Sequence, residues 1–256
     1  MTVSAMAELV RRQDPDRFLA SLFAPAAHRE AVWVLCAFNN ELARAREVVS
    51  EPMLALIRLQ WWREVVQGAR RRHEVAGPLG ALIDRGVVHA PDLLAMIDAR
   101  EMEADDTVPD RAGWMAYLLG SAGGLSVAIG RILGASEQDR ERLRRLGAAY
   151  GAAGAVLSVA ALARQGRCML PDDVLRAYGM GRDHVLRDPA SAAPVLAVLA
   201  EQGRDWLRDG AGLYSREAVA AGLIAVLARR DLRRMARRRG FGDRLAVIRS
   251  GLLGRI

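Results

Sequence analysis

Two carboxylates four residues apart on a helix lie on one face, and a second pair across a cavity completes an oxygen cage for hard divalent cations. Few residues in this chain offer that chemistry. Glu41, Arg44 and Glu47 recur at three-residue steps in FNNELARARE, and Asp98, Glu101, Asp105 and Asp106 crowd into IDAREMEADD, where Asp98 and Asp106 share a helical face. Each acid of the first group has an arginine at helical ion-pair spacing, with Glu47 assigned to Arg44, and the second group reads as a solvated charged face. His28, His73, His89 and His184 are too scattered to be ligands of one metal. Cys36 and Cys168 are far apart and form no CxxC pair, which argues against a disulfide framework and for a reducing compartment. No GxSxG, HExxH, phosphate-binding loop or GxGxxG stands in a fitting context. All 37 basic residues are arginine, so chemistry that needs a Schiff-base or catalytic lysine is excluded.

The densest basic feature is Arg229, Arg230, Arg233, Arg234, Arg237, Arg238 and Arg239, interleaved with Leu232 and Met235. Arginines three and four residues apart cover much of a helix surface. Arg233, Arg234, Arg237 and Arg238 are therefore the candidate contact with anionic lipid at a membrane surface. A solubilising helix end that complements the helix dipole accounts for the same pattern. The net charge of +7 suits an anionic partner, but no binding motif or interleaved aromatic residues point to nucleic acid, and none is expected as a partner.

The elements that position these residues are helical throughout. A chain of 256 residues with 52% hydrophobic content buries a core without disulfides or metals, and with no internal repeat we expect a single domain over 1–256. MTVSAMAELV lacks a basic region ahead of its apolar residues and is no secretory signal, so a cytoplasmic location, peripheral to the inner membrane, is expected. Two uncharged runs, Ala112 to Gly130 and Leu146 to Ala163, approach the roughly 20 residues of a membrane span. Their Gly, Ala and Ser content points instead to buried helices of a soluble bundle.

Val34, Phe38, Leu42, Ala45 and Val49 form one apolar stripe. Ser50 is a candidate N-cap for the next helix, whose inner face is assigned to Leu54, Ile57, Trp61 and Val65. Of the adjoining Trp61 and Trp62, one should reach the core and the other a neighbouring helix or cavity rim. Gly77-Pro78 reads as a turn, 111–133 as one helix with Gly134 as its C-cap, Ser136-x-x-Asp139 as the cap of a long helix to Ala163, and 182–191 as a polar loop. Mid-helix Gly120, Gly123 and Gly124 fit close helix packing. Two helices over about 192–209 and 216–239 precede a last amphipathic piece. No segment alternates as a strand does, so the fold class is all-α.

The segments DRFLASLFAP, AFNNELARAREVVSEP, IRLQWWRE, YLLGSAGGLSVAIGRILG and LGAAYGAAGAVLSVAALARQGRCMLP, in that order between Asp16 and Leu175, resemble the squalene/phytoene synthase family. The resemblance implies an isoprenoid-synthase-like helical bundle around a central cavity. Active members join two prenyl diphosphates head to head, with Mg²⁺ held between two DxxxD motifs on facing helices. Ala43 and Glu47 stand at the first motif's aspartate positions here, with Arg44 beside them, and Ser158 and Leu162 stand at the second's. Asn40, Tyr150 and Arg167 are further cavity positions by the same comparison. One carboxylate of four remains.

The resemblance therefore implies the fold without prenyl transfer, with no catalytic residue, metal site or cofactor. AFNNELARAREVVSEP followed by a Trp pair is similar to the branch that includes a mitochondrial assembly factor for respiratory complex I. That implies a respiratory-complex subunit as partner and a prenyl or other lipid ligand in the cavity. The alternatives are an active Mg²⁺-dependent head-to-head prenyltransferase of the phytoene or squalene synthase type, and a peripheral lipid-binding protein with no assembly role.

Overall fold

The computed structural model describes residues 4–49, 51–105, 107–236 and 239–256, and among them the chain forms α-helices, short 3₁₀ turns and no strand. Side chains of Ser4 and Asp14 cap α1 (Ala5–Gln13) and α2 (Pro15–Ser21), accepting from Met6 N and Arg17 N at 3.1 and 3.0 Å. The expected stripe of α3 (Ala26–Glu47) is buried at Val34, Phe38, Leu42 and Ala45. In α4 (Pro52–Val66) the buried face is Ala55, Leu59, Trp62 and Val65, whereas Leu54 and Ile57 are exposed. Apolar residues line both sides of this helix, so periodicity alone could not choose. Packing does, through Trp62, edge-on to Phe38 at 5.4 Å between ring centroids. Trp61 is half-buried against His73 and away from the cavity described below. The Ser50 cap lies outside the described residues.

Gly77 and Pro78 fall inside the first turn of α5 (Ala76–Asp84) rather than in a loop, since an N–H missing there leaves no helical bond unmade. After α6 (Ala90–Arg100) and a 3₁₀ turn at Glu101–Glu103, the expected helix over 111–133 is two helices, α7 (Arg111–Gly120) and α8 (Ala122–Ile132). Ser121, at φ −83° and ψ −81°, breaks the run, and its Oγ donates to Tyr117 O at 2.6 Å. Gly134 follows α8 in the left-handed conformation, φ +75°, and Ser136 caps α9 (Glu137–Ala163).

The central helix is α9, packed against α7 and α8, then α12 (Ala193–Gly210) and α13 (Ile224–Arg234). At the α8–α9 crossing the backbones nearly touch: a Cβ on Gly123 would lie 2.6 Å from Arg144 O, and one on Gly147 2.5 Å from Ala122 O. The runs Arg111–Ile132 and Glu137–Ala163 are long and apolar enough to cross a membrane by length and composition, and 61% and 50% of their most apolar windows are buried in this bundle. Besides α10 (Asp172–Ala177), the expected loop at 182–191 holds α11 (Arg182–Arg187) and a 3₁₀ turn, too short for a periodic signal because Val185 alone of α11 is buried. One core cluster runs from Met6 to Ile256.

Left-handed Met235 (φ 49°) ends α13, and α14 (Phe241–Leu253) follows. The buried Asp243 ties the two together, accepting from Arg230, from Arg234 Nη1 at 3.0 Å and from Gly240 N at 3.0 Å. Burial alone would raise its pKa, but the Gly240 N–H and the two guanidiniums outweigh burial and hold the carboxyl below its usual range. A depressed carboxylate contributes stability above its unfolded pKa of about 3.9 and loses it as pH falls through the folded value. Pepsin cleavage near Phe241 should accordingly begin only below about pH 4. Asp243→Asn should expose the α13–α14 junction at neutral pH, several-fold faster tryptic cleavage being the readout, whereas unchanged cleavage would show that the clamp does not hold α14.

Candidate functional site

A cavity of about 630 Å³ opens between α2, α3, α7 and α9. Asn40, Ala43 and Glu47 of α3 line it, as do Tyr150, Ser158 and Leu162 of α9 and Arg167 beyond that helix, so the four positions matching the aspartate motifs converge on one space. Arg44 does not line it. Its Nη1 donates to Glu41 Oε1 at 3.2 Å, which replaces the expected pairing with Glu47, an exposed residue. Small residues of α9 leave the lumen open: a Cβ added at Gly154 meets nothing within 4 Å.

The polar end of the cavity joins Tyr150 and Arg167 to residues that sequence reasoning did not place there. Arg239 donates through Nε and Nη2 to Asp16 at 2.8–3.0 Å, and through Nη1 and Nη2 to Asp231 at 2.6 and 2.9 Å. Tyr150 Oη donates to Asp16 Oδ2 at 3.0 Å. Arg17 Nη1 donates to Asp14 Oδ2 at 2.6 Å while its guanidinium lies 4.9 Å from the Tyr150 ring centroid. Across the lumen the Glu103 carboxylate accepts from Tyr117 Oη and Arg100 Nη1, and Arg100 Nη2 reaches Asn39 Oδ1 at 3.3 Å. Arg167 Nη2 donates to Glu103 O at 3.1 Å.

Burial, then the Glu103 carboxylate, push the Tyr117 phenol well above its usual range, so it remains a donor. Burial also pushes the Cys36 thiol up to about 12 and raises that of Cys168, leaving both protonated at neutral pH. Asp14, Asp16 and Glu103 each face the cavity beside an arginine. Among the described residues no group of three or more Asp, Glu, His or Cys is placed to hold a metal ion. Asp98 and Glu101 both accept from Arg63 Nη2, at 2.6 and 2.7 Å, on the solvated surface, and Asp106 lies outside the described residues.

Among the described residues the arginine run does not present one basic face. Arg234 is committed to Asp243 and Arg239 to the cavity. Arg233 is exposed and edges a separate apolar groove of about 950 Å³ between α9, α12 and α13, with Arg229, Leu232 and Met235. Arg237 and Arg238 lie outside the described residues. The one acid within the run, Asp231, was the signal that part of it turns inward, since a single carboxylate amid arginines that is also buried needs a partner.

A helical bundle enclosing a cavity at whose wall two helices face each other is the architecture of isoprenoid synthases. A dehydrosqualene synthase in complex with ligand superposes with a TM-score of 0.78 over 96% of this chain and 94% of that one, at 14% identity. Squalene synthase HpnC from Alicyclobacillus acidocaldarius gives 0.67 over 97% and 92%, at 17% identity. At such identities the likeness is one of fold. The family is fixed by sequence: residues 10–250 match the squalene/phytoene synthase family profile, and the chain belongs to that family. Its curated relatives include NADH dehydrogenase (ubiquinone) complex I, assembly factor 6, from Homo sapiens, 36% identical over 103 residues, which are 39% of this chain and 31% of the relative. The Rattus norvegicus protein of that name is 27% identical over 217 residues, 82% of this chain and 65% of the relative. The chain thus spans less than two thirds of the length of these relatives.

Proposed function

We propose that this chain uses the synthase bundle without prenyl transfer and acts in the assembly of respiratory complex I, at the membrane that houses it. One observation carries the reading. The four positions that would cage Mg²⁺ meet at one cavity, and three of them are Ala43, Ser158 and Leu162, which offer no carboxylate. Of the acids that face the lumen, Asp14, Asp16 and Glu103 are matched by guanidiniums of the same chain and Glu47 is a single further carboxylate, so a diphosphate brought in with its metal ions would meet no unmatched carboxylate cluster. The relatives' name supports the assembly role. The open lumen along α9 supports a prenyl or other lipid ligand, and its partner in assembly would be a subunit of the complex.

Purified protein incubated with farnesyl or geranylgeranyl diphosphate and Mg²⁺ is expected to release no diphosphate and form no head-to-head product. Complex I activity is expected to fall in a deletion strain. Turnover at ordinary synthase rates would restore the prenyltransferase alternative. Normal complex I activity in the deletion strain would end the assembly role.

A further inference from the structure

The outer face of α14 is apolar and has no partner among the described residues. Phe241, Leu245, Ile248 and Leu252 are 82%, 53%, 38% and 77% exposed. At 100° per residue these four fall within an arc of about 60°, with Arg244 on one flank and Arg249 on the other. The opposite side is fixed to the body: Asp243, Val247 and Gly251 are buried, Asp243 in the clamp from α13, and a Cβ on Gly251 would collide with the Phe23 ring. The apolar row therefore cannot roll inward. Leu213, 71% exposed, lies beside the end of α14, because the backbone of Gly212 and Tyr214 pairs with Ile256 and Gly254 just past the helix. The only acid of α14, Asp243, is buried, so its exposed face carries no carboxylate.

We propose that α14 is an interfacial helix that docks the protein on an anionic lipid bilayer, its apolar row entering the acyl boundary and Arg244 and Arg249 meeting lipid phosphates. An apolar row with guanidiniums along both edges matches a surface that is apolar inside and negative outside. A second copy of this chain, with the same net charge of +7, would bring like charges together along both edges. This proposal stands independently of the assembly reading.

Co-sedimentation with vesicles of phosphatidylcholine alone, and of phosphatidylcholine mixed with an equal part of phosphatidylglycerol, tests it. Binding is expected to the anionic vesicles, to weaken with salt, and to be much poorer on the neutral ones. Each basic side chain near an anionic surface is worth about fivefold, so Arg244→Gln with Arg249→Gln should weaken it about twenty-five-fold. Phe241→Ser with Leu252→Ser should weaken it by about tenfold or more per side chain, with an unchanged melting temperature because both are exposed. No partition onto anionic vesicles, or partition indifferent to both double variants, overturns the proposal. So does a dimer in gel filtration that the Phe241→Ser, Leu252→Ser variant dissolves, which would assign the face to a second copy. Vesicle binding in a protein whose deletion leaves complex I activity normal would sink the assembly reading and leave this one standing.

Discussion

Replacing Arg239 with alanine is expected to lower the free energy of unfolding by about 2–3 kcal/mol, less than the loss of one partner from a wholly buried ion pair because the guanidinium keeps some contact with solvent. Its guanidinium joins Asp16 of α2 to Asp231 of α13 with contacts of 2.6–3.0 Å, and the Asp231 side chain is almost wholly buried. Without Arg239 the Asp231 carboxylate has to stay charged in a dry site, take up a proton or drag water in. Burial would lower the Arg239 pKa, but the two carboxylates outweigh it and hold the pKa above the usual arginine value. The arginine is thus charged at every accessible pH, and its own titration adds no pH dependence. Urea denaturation should show a lower midpoint at an unchanged slope. Arg239→Lys should recover only part, because an ammonium cannot present paired donors to two carboxylates. A loss under about 1 kcal/mol would mean that the network behaves as a solvated surface bridge.

The second large effect belongs to the α8–α9 crossing. Gly147→Ala should cost about 1–3 kcal/mol, and Gly147→Leu should leave no folded protein. The added Cβ would meet Ala122 O at 2.5 Å, Ser126 Oγ at 2.6 Å and Gly123 Cα at 2.9 Å, two of them backbone atoms that cannot swing aside. The gain of about 1 kcal/mol in helix propensity does not offset that. Gly154→Ala, two turns along the same helix, is the control: nothing lies within 4 Å of its Cβ, so propensity should raise the melting temperature slightly. Equal effects at the two glycines would refute the packing account.

Most of the fold was legible because helical periodicity repeats within each element. The α3 stripe, the Ser136 cap and the extent of α9 follow from residues near one another in the chain. Where local information was balanced it misled. Leu54 and Ile57 are at least as apolar as Ala55 and Leu59, and packing against α3, α5 and α6 settles which pair turns inward. Ser121 breaks a run of small residues that accommodates a continuous helix equally well.

The cavity positions were reached by family resemblance, and seven of the eight line the lumen. Of its polar end only Tyr150 and Arg167 were legible, since Asp16 and Arg239 are 223 residues apart and each has an ordinary local explanation, as a helix opener and as part of a basic run.

The pairing of the cavity acids with arginines changes what the site can respond to. A carboxylate cage filled by Mg²⁺ draws its counter-charge from solution, so its electrostatic state follows ion concentration, and a chelator empties it. Here the counter-ions are side chains, tethered at fixed stoichiometry, which no chelator removes and no dilution depletes. For Asp14, Asp16 and Glu103 the counter-charge is thus built into the fold rather than recruited from solution.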